Sequence, residues 1–172
     1  MYEVKKIVEV GEIPKIYLHH LSDPEMSKIY YFWGNVHYRL QTRFVNGSCI
    51  ALIPGKGCAL NDSRPLICKV WPFWWISGSK PSADNFPLEI NGDCTMATCW
   101  NMTEDEILKE FGTSKDTIRK LLLALNRALN EHGEMLKEAA KRNIPPEKLL
   151  DWILKKILQN PLESTFNKLF IS

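Results

Sequence analysis

Long apolar runs are missing from this chain of 172 residues. Nowhere do apolar residues approach the ~18 in a row that a membrane-spanning helix needs. The opening stretch, MYEVKKIVEVGEIPK, carries charges throughout and has no apolar core of the signal-peptide kind. A cytoplasmic location with no membrane partner is therefore expected. Excess charge is also scarce. Twenty-two Lys and Arg against twenty Asp and Glu leave a net +2, too little to infer nucleic acid or an acidic membrane from charge alone. No phosphate-binding glycine loop, no G-x-S-x-G and no H-E-x-x-H occurs, so no catalytic motif selects a reaction. Internal repeats and low-complexity tracts are absent too.

What the chain does have is an ordinary globular composition, 45% apolar and 24% charged, enough for a sizeable core under a solvated surface. Composition shifts near residue 102. All five cysteines and five of the six tryptophans precede it, and Leu, Lys and Glu dominate after it. The expected fold class is α+β: a small β-hairpin and cysteine-rich loop region packed on a C-terminal helical part. Residues 1–102 form the mixed region, with a cysteine-rich segment at 36–100. Residues 103–172 form the helical region, packed as one domain with the first.

Locally, residues 2–10 are short and β-prone, and Asp23-Pro24-Glu25 opens a helix expected to run to about Trp33. Residues 36–44 alternate in the period of a half-buried strand. Asn46-Gly47 then signals a tight turn, with residues 49–53 returning as the hairpin partner. Pro and Gly punctuate residues 54–102 so densely that no long element can run through them. Thr103-Glu104-Asp105-Glu106 reads as a capping box. Ser114 opens a long helix carrying Ile118, Leu121, Leu122, Leu125, Leu129, Leu136 and Ala139 at helical spacing. Pro145-Pro146 breaks it and starts another at 147–159, and Pro161 begins a last short helix.

The cysteines are spaced Cys49-x8-Cys58-x9-Cys68, then Cys94-x4-Cys99. A cytosolic thiol cluster favours metal or chemistry over disulfides, and an odd count argues against a fully paired framework. Soft thiolates suit zinc or iron–sulfur clusters. Spacing alone selects nothing, since there is no C-x-x-C knuckle and a reduced cysteine is also a small buried hydrophobe.

The words around the cysteines say more. Gly47-Ser48-Cys49-Ile50-Ala51-Leu52, then Gly57-Cys58-Ala59-Leu60, then Arg64-Pro65-Leu66-Ile67-Cys68-Lys69-Val70-Trp71-Pro72-Phe73 resembles the YkgJ-type zinc- or iron-chelating domain family over about residues 36–100. The resemblance implies that Cys49, Cys58 and Cys68 are metal ligands, with Cys94 the fourth and Cys99 in reserve. It implies zinc or an iron–sulfur cluster as the cofactor. Arg64, Pro65, Trp71, Pro72 and Phe73 then serve as structural support. The chain departs from the family pattern in two places. Residues 1–48 lack the upstream cysteine cluster, and Cys94 is followed by Thr95-Met96 rather than Pro-Gly.

Other residues carry weaker signals. Trp71, Phe73, Trp74 and Trp75 suit base stacking or a ligand pocket, but packing of a small irregular region is the simpler role. His19, His20 and His37 are read as surface or hydrogen-bonded histidines rather than ligands, and His132 lies on the long helix away from any ligand set. Residues 106–122 resemble a helix-turn-helix, with Lys115 and Arg119 at the start of its second helix. That second helix runs far beyond recognition length and turns apolar at Leu121. A relative of the chelating domain occurs in flagellin lysine methylases, which leaves a protein-modifying activity open without a cofactor motif to support it. Nucleic-acid and protein partners both remain open.

Overall fold

The computed structural model describes residues 15–18, 29–42, 44–60, 64–75 and 88–159. The strand expected at 2–10, the opening of the helix at Asp23-Pro24-Glu25, the last helix from Pro161, and His19 and His20 lie outside the described residues. The fold is mixed α+β, with small antiparallel pairs in the N-terminal half and long helices at the C-terminus. The chain divides into two compact units. One comprises Met1–Arg64 and Ala128–Ser172, the other Pro65–Arg127.

In the first unit, β1 (Lys15–Leu18), β2 (Tyr31–Trp33) and β3 (Val36–Gln41) form an antiparallel sheet in the order β1-β3-β2. The helix expected to reach Trp33 does not. Tyr31, Phe32 and Trp33 are an aromatic run of the kind strands favour, and Gly34 at φ +58° turns it back so that Trp33 pairs with Val36. The predicted strand at 36–44 ends at Gln41, and its partners are β1 and β2 rather than residues 49–53. Its alternation holds: Tyr38 and Leu40 face the core, while Arg39 donates to Gln41 Oε1 at 3.2 Å and His37 meets the Phe32 ring edge-on.

Two tiny hairpins follow. β4 (Phe44–Val45) pairs with β5 (Ser48–Cys49) across Asn46 and Gly47, both at positive φ, which is the primed turn that this dipeptide favours. β6 (Leu52–Ile53) pairs with β7 (Gly57–Cys58) across Pro54-Gly55. There Gly55 sits at φ +72° and the Lys56 N–H donates to the Ile53 carbonyl at 3.0 Å. Pro at the first central position and a positive-φ Gly at the second fit a type II turn.

The second unit begins with α1 (Leu66–Val70), whose Cys68 and Lys69 amides donate to the Pro65 carbonyl. β8 (Phe73–Trp75) pairs with β9 (Leu88–Ile90), and α2 (Thr95–Thr98) and α3 (Glu104–Glu110) follow. The capping box at Thr103 is present: Glu106 accepts from the Thr103 amide and hydroxyl, and those bonds hold its carboxyl below the ordinary range. α3 ends in a Schellman motif. Gly112, at φ +59°, donates to the Lys109 carbonyl and Thr113 donates to that of Leu108.

Ser114 then caps α4 (Lys115–Lys141), its hydroxyl accepting from the Thr117 amide at 3.2 Å. At 27 residues this helix is about 40 Å long. It supplies residues to both units, 115–127 to one and 128–141 to the other. Its end repeats the same motif: Asn143, at φ +50°, donates to the Ala140 carbonyl and Ile144 to that of Ala139. Pro145-Pro146 cannot continue the helix, and Pro146 opens α5 (Pro146–Gln159) instead.

The first unit's core is Tyr31, Leu136, Ala139, Leu149 and Ile153, with Tyr38, Leu40, Met135, Ile144 and Trp152 around it. Leu149 and Ile153 are one helical turn apart and fully buried, each contributing about 1.5–3 kcal/mol. Tyr31 is 1% exposed, yet its hydroxyl is satisfied, donating to the Ile144 carbonyl at 2.5 Å. Burial also pushes that phenol above its ordinary pKa. Glu138 on α4 clasps Arg142 and Lys156, and the Lys156 ammonium lies 5.2 Å from the Trp152 ring centre.

Replacing Tyr31 by Phe keeps the ring and orphans the Ile144 carbonyl. Chemical denaturation should show a loss of about 1–2 kcal/mol with an unchanged m-value. Leu149→Ala should cost about 2–5 kcal/mol.

His132, on α4, gives a pH-dependent test. Burial lowers its pKa to about 4. Its unfolded pKa is near ~6.5, so between the two values the unfolded chain binds a proton that the folded chain refuses. Stability is therefore complete above ~6.5 and falls as pH drops toward ~4. Relative to His132→Gln, wild type should lose about 1–2 kcal/mol of stability from pH 7 to pH 5. A pH-independent difference would show that the imidazole titrates normally.

Candidate functional site

None of the five cysteines is in a disulfide. Cys49 and Cys58 belong to the first unit, and Cys68, Cys94 and Cys99 to the second.

Cys49 ends β5 and Cys58 ends β7, and both thiols are half-buried. They pack against the same small cluster, Ala51 and Leu60. The backbone explains how. The Leu52–Cys58 register and the Ala59 N–H bond to the Ala51 carbonyl at 2.7 Å fold residues 58–60 back along 51–52, and Cys49 is two residues before Ala51. The Cys49 thiol also donates to Thr42 Oγ1 at 3.6 Å. Ala51 is 1% exposed and Leu60 5%, so this pair is a local core with sulfur at its margin.

Cys68 lies in α1 and is exposed, flanked by exposed Ile67 and half-buried Lys69. Cys94 is buried after β9. An Asx turn puts it there: the Asp93 amide donates to Asn91 Oδ1 and the Cys94 amide to the Asn91 carbonyl. The Cys94 carbonyl then accepts from Ala97, from the Thr98 amide and from the Thr98 hydroxyl, which starts α2. Cys99 is exposed, 3.8 Å from the Thr98 hydroxyl.

A closed zinc or iron–sulfur centre takes four ligands. Among the described residues no three His, Cys, Asp or Glu side chains gather as a metal-ligand set. The arrangement brings two thiols, Cys49 and Cys58, onto one small core.

The expected supporting residues divide. Phe73 and Pro72 are buried, and Pro65 starts α1. Trp71, expected to pack with them, is 45% exposed. It is the residue at which α1 ends, so its side chain leaves the helix face that Leu66 and Val70 bury. Trp74 is half-buried, Arg64 is exposed, and the Trp71–Pro72 peptide is cis. Trp100 is 68% exposed, and nothing in its local sequence pattern marks it.

The junction of α3 and α4 is a helix–turn–helix in outline. Two of its basic groups face acidic neighbours: Lys115 pairs with Glu104 at 2.6 Å and Arg119 with Asp116 at 3.4 Å. Ile118 between them is buried. No helix among the described residues is long and apolar enough to cross a membrane. Compared with known proteins, the chain matches no family model, no curated protein and no solved structure.

Thiol reactivity follows exposure in the native state. Pulsed alkylation read by peptide mass spectrometry should label Cys68 and Cys99 first, Cys49 and Cys58 later, and Cys94 last, with all five equivalent in denaturant. Early labelling of Cys94 would contradict its burial.

Proposed function

We propose that this chain is a thiolate metal-chelating protein whose ligands centre on Cys49 and Cys58. The observation that carries the proposal is the pair itself. Two half-buried, unbridged thiols rest on one core, set by consecutive hairpins whose turn residues are written into the sequence. Half-burial suits a metal thiolate: the sulfur is shielded from bulk water and an ion can still reach it. The Thr42 hydroxyl stands beside Cys49 as an outer partner of the kind that orients a ligand. The string from Gly47 to Phe73, similar to the YkgJ-type chelating domains, supports zinc or an iron–sulfur cluster as the metal. The same resemblance implies Cys68 and Cys94 as ligands.

Protein purified anaerobically should hold about one metal ion or cluster per chain. Cobalt(II) substitution should add thiolate-to-metal absorption, and Cys49→Ser or Cys58→Ser should abolish both. Loss of the signal in Cys68→Ser and Cys94→Ser would assign those two as the remaining ligands. Less than ~0.2 metal per chain with no such absorption would overturn chelation.

A further inference from the structure

We propose that Cys49 and Cys58 are a redox-active dithiol that closes to an intramolecular disulfide. The proposal deepens the chelation reading, because the same two sulfurs would serve both states, but the bridge itself needs no metal.

Three observations carry it. Both thiols pack on one cluster so small that one of its two members, Ala51, offers a single methyl group. Both therefore border one core of two side chains. The backbone between them is already folded: the Asn46-Gly47 and Pro54-Gly55 turns and the Ala59–Ala51 hydrogen bond tie residues 44–60 into two linked hairpins. Little chain entropy remains to be lost on bridging, so the second thiol acts at high effective concentration. Both sulfurs are also half-buried rather than sealed, which leaves them open to a small disulfide reagent. The remaining cysteines, Cys68, Cys94 and Cys99, belong to the other compact unit.

The chemistry is thiol–disulfide exchange with oxidised glutathione. One protein thiol loses its proton and attacks a glutathione sulfur. A mixed disulfide forms, and one glutathione thiolate leaves. The second protein thiol then loses its proton and attacks the protein sulfur of that mixed disulfide, expelling the second glutathione. The two protein thiols are oxidised, and one oxidised glutathione becomes two reduced ones. A disulfide offers no thiolate, so oxidation and chelation exclude each other at this site.

The experiment equilibrates full-length protein, stripped of metal with a chelator, in glutathione redox buffers and maps disulfides by mass spectrometry. The expected result is a Cys49–Cys58 bridge that dithiothreitol reverses, with labelling of both thiols reduced at least ~10-fold in the oxidised form. Cys49→Ser should leave Cys58 as a glutathione mixed disulfide, and Cys58→Ser the converse, with unchanged circular dichroism. Phenylarsine oxide, which needs two thiols within reach, should be captured by wild type and by neither variant. Mixed disulfides alone on wild type, a bridge to Cys68, Cys94 or Cys99, or failure to capture the arsenical would each overturn the proposal. A bridge without metal binding leaves it standing while chelation falls. Metal binding without a bridge does the reverse.

Discussion

The hydroxyl of Tyr31 and the carbonyl of Ile144 meet at the corner where two long helices turn, and the first unit is organised around that contact. Ile144 lies three residues past the end of α4, and its amide is already spent on closing the Schellman turn to Ala139. Its carbonyl, at the edge of an apolar cluster, needs a donor. Tyr31 brings one on an aromatic ring that also fills the core between β3 and the helices. One side chain thus meets a hydrogen-bonding demand and a packing demand. The demands are linked, because the donor reaches its acceptor only if the ring is seated among Leu136, Ala139, Leu149 and Ile153. The sheet, the corner and the start of α5 therefore hold or fail together.

The helical half was legible in the sequence because its rules are local. A capping box spans four residues, a Schellman end six, and a Pro-Pro break two. Thr103, Gly112, Ser114 and Pro146 each do what their neighbours in sequence require. Sheet partners are not local. The alternation of residues 36–44 announced a strand, but nothing in it named the partner. The nearer turn at Asn46-Gly47 pointed to residues 49–53, while the aromatic run at Tyr31–Trp33 won the pairing by filling the core with Tyr31. Asn46-Gly47 still makes a hairpin, two residues to a side. Trp71 shows the same limit. Its neighbours in the string are buried, but α1 ends at Trp71 itself, and five residues of helix leave no second turn to cover it.

The candidate site was legible to the same degree. That the residues around Cys49 and Cys58 would turn tightly was written in Asn46, Gly47, Pro54 and Gly55. That the two sulfurs would share a core depends on Ala51 and Leu60 being buried together, which no spacing rule expresses. Cys94 is buried by an Asx turn that Asn91 and Asp93 encode, and the turn was legible only once β9 was known to end at Ile90.

The placement of Cys49 and Cys58 bears on what the pair can be. A cysteine kept only for packing has no need of water and tends toward full burial, as Cys94 has. Cys68 and Cys99 are exposed. Cys49 and Cys58 take the middle position, each at the end of a two-residue strand and each touching a core that the hairpins make for them. Hairpins this short bury too little to be stable as isolated pieces. A cross-link between them, whether metal or disulfide, would supply the order that their few apolar contacts do not. The physical case for chemistry at this pair is therefore strongest where the fold around it is weakest.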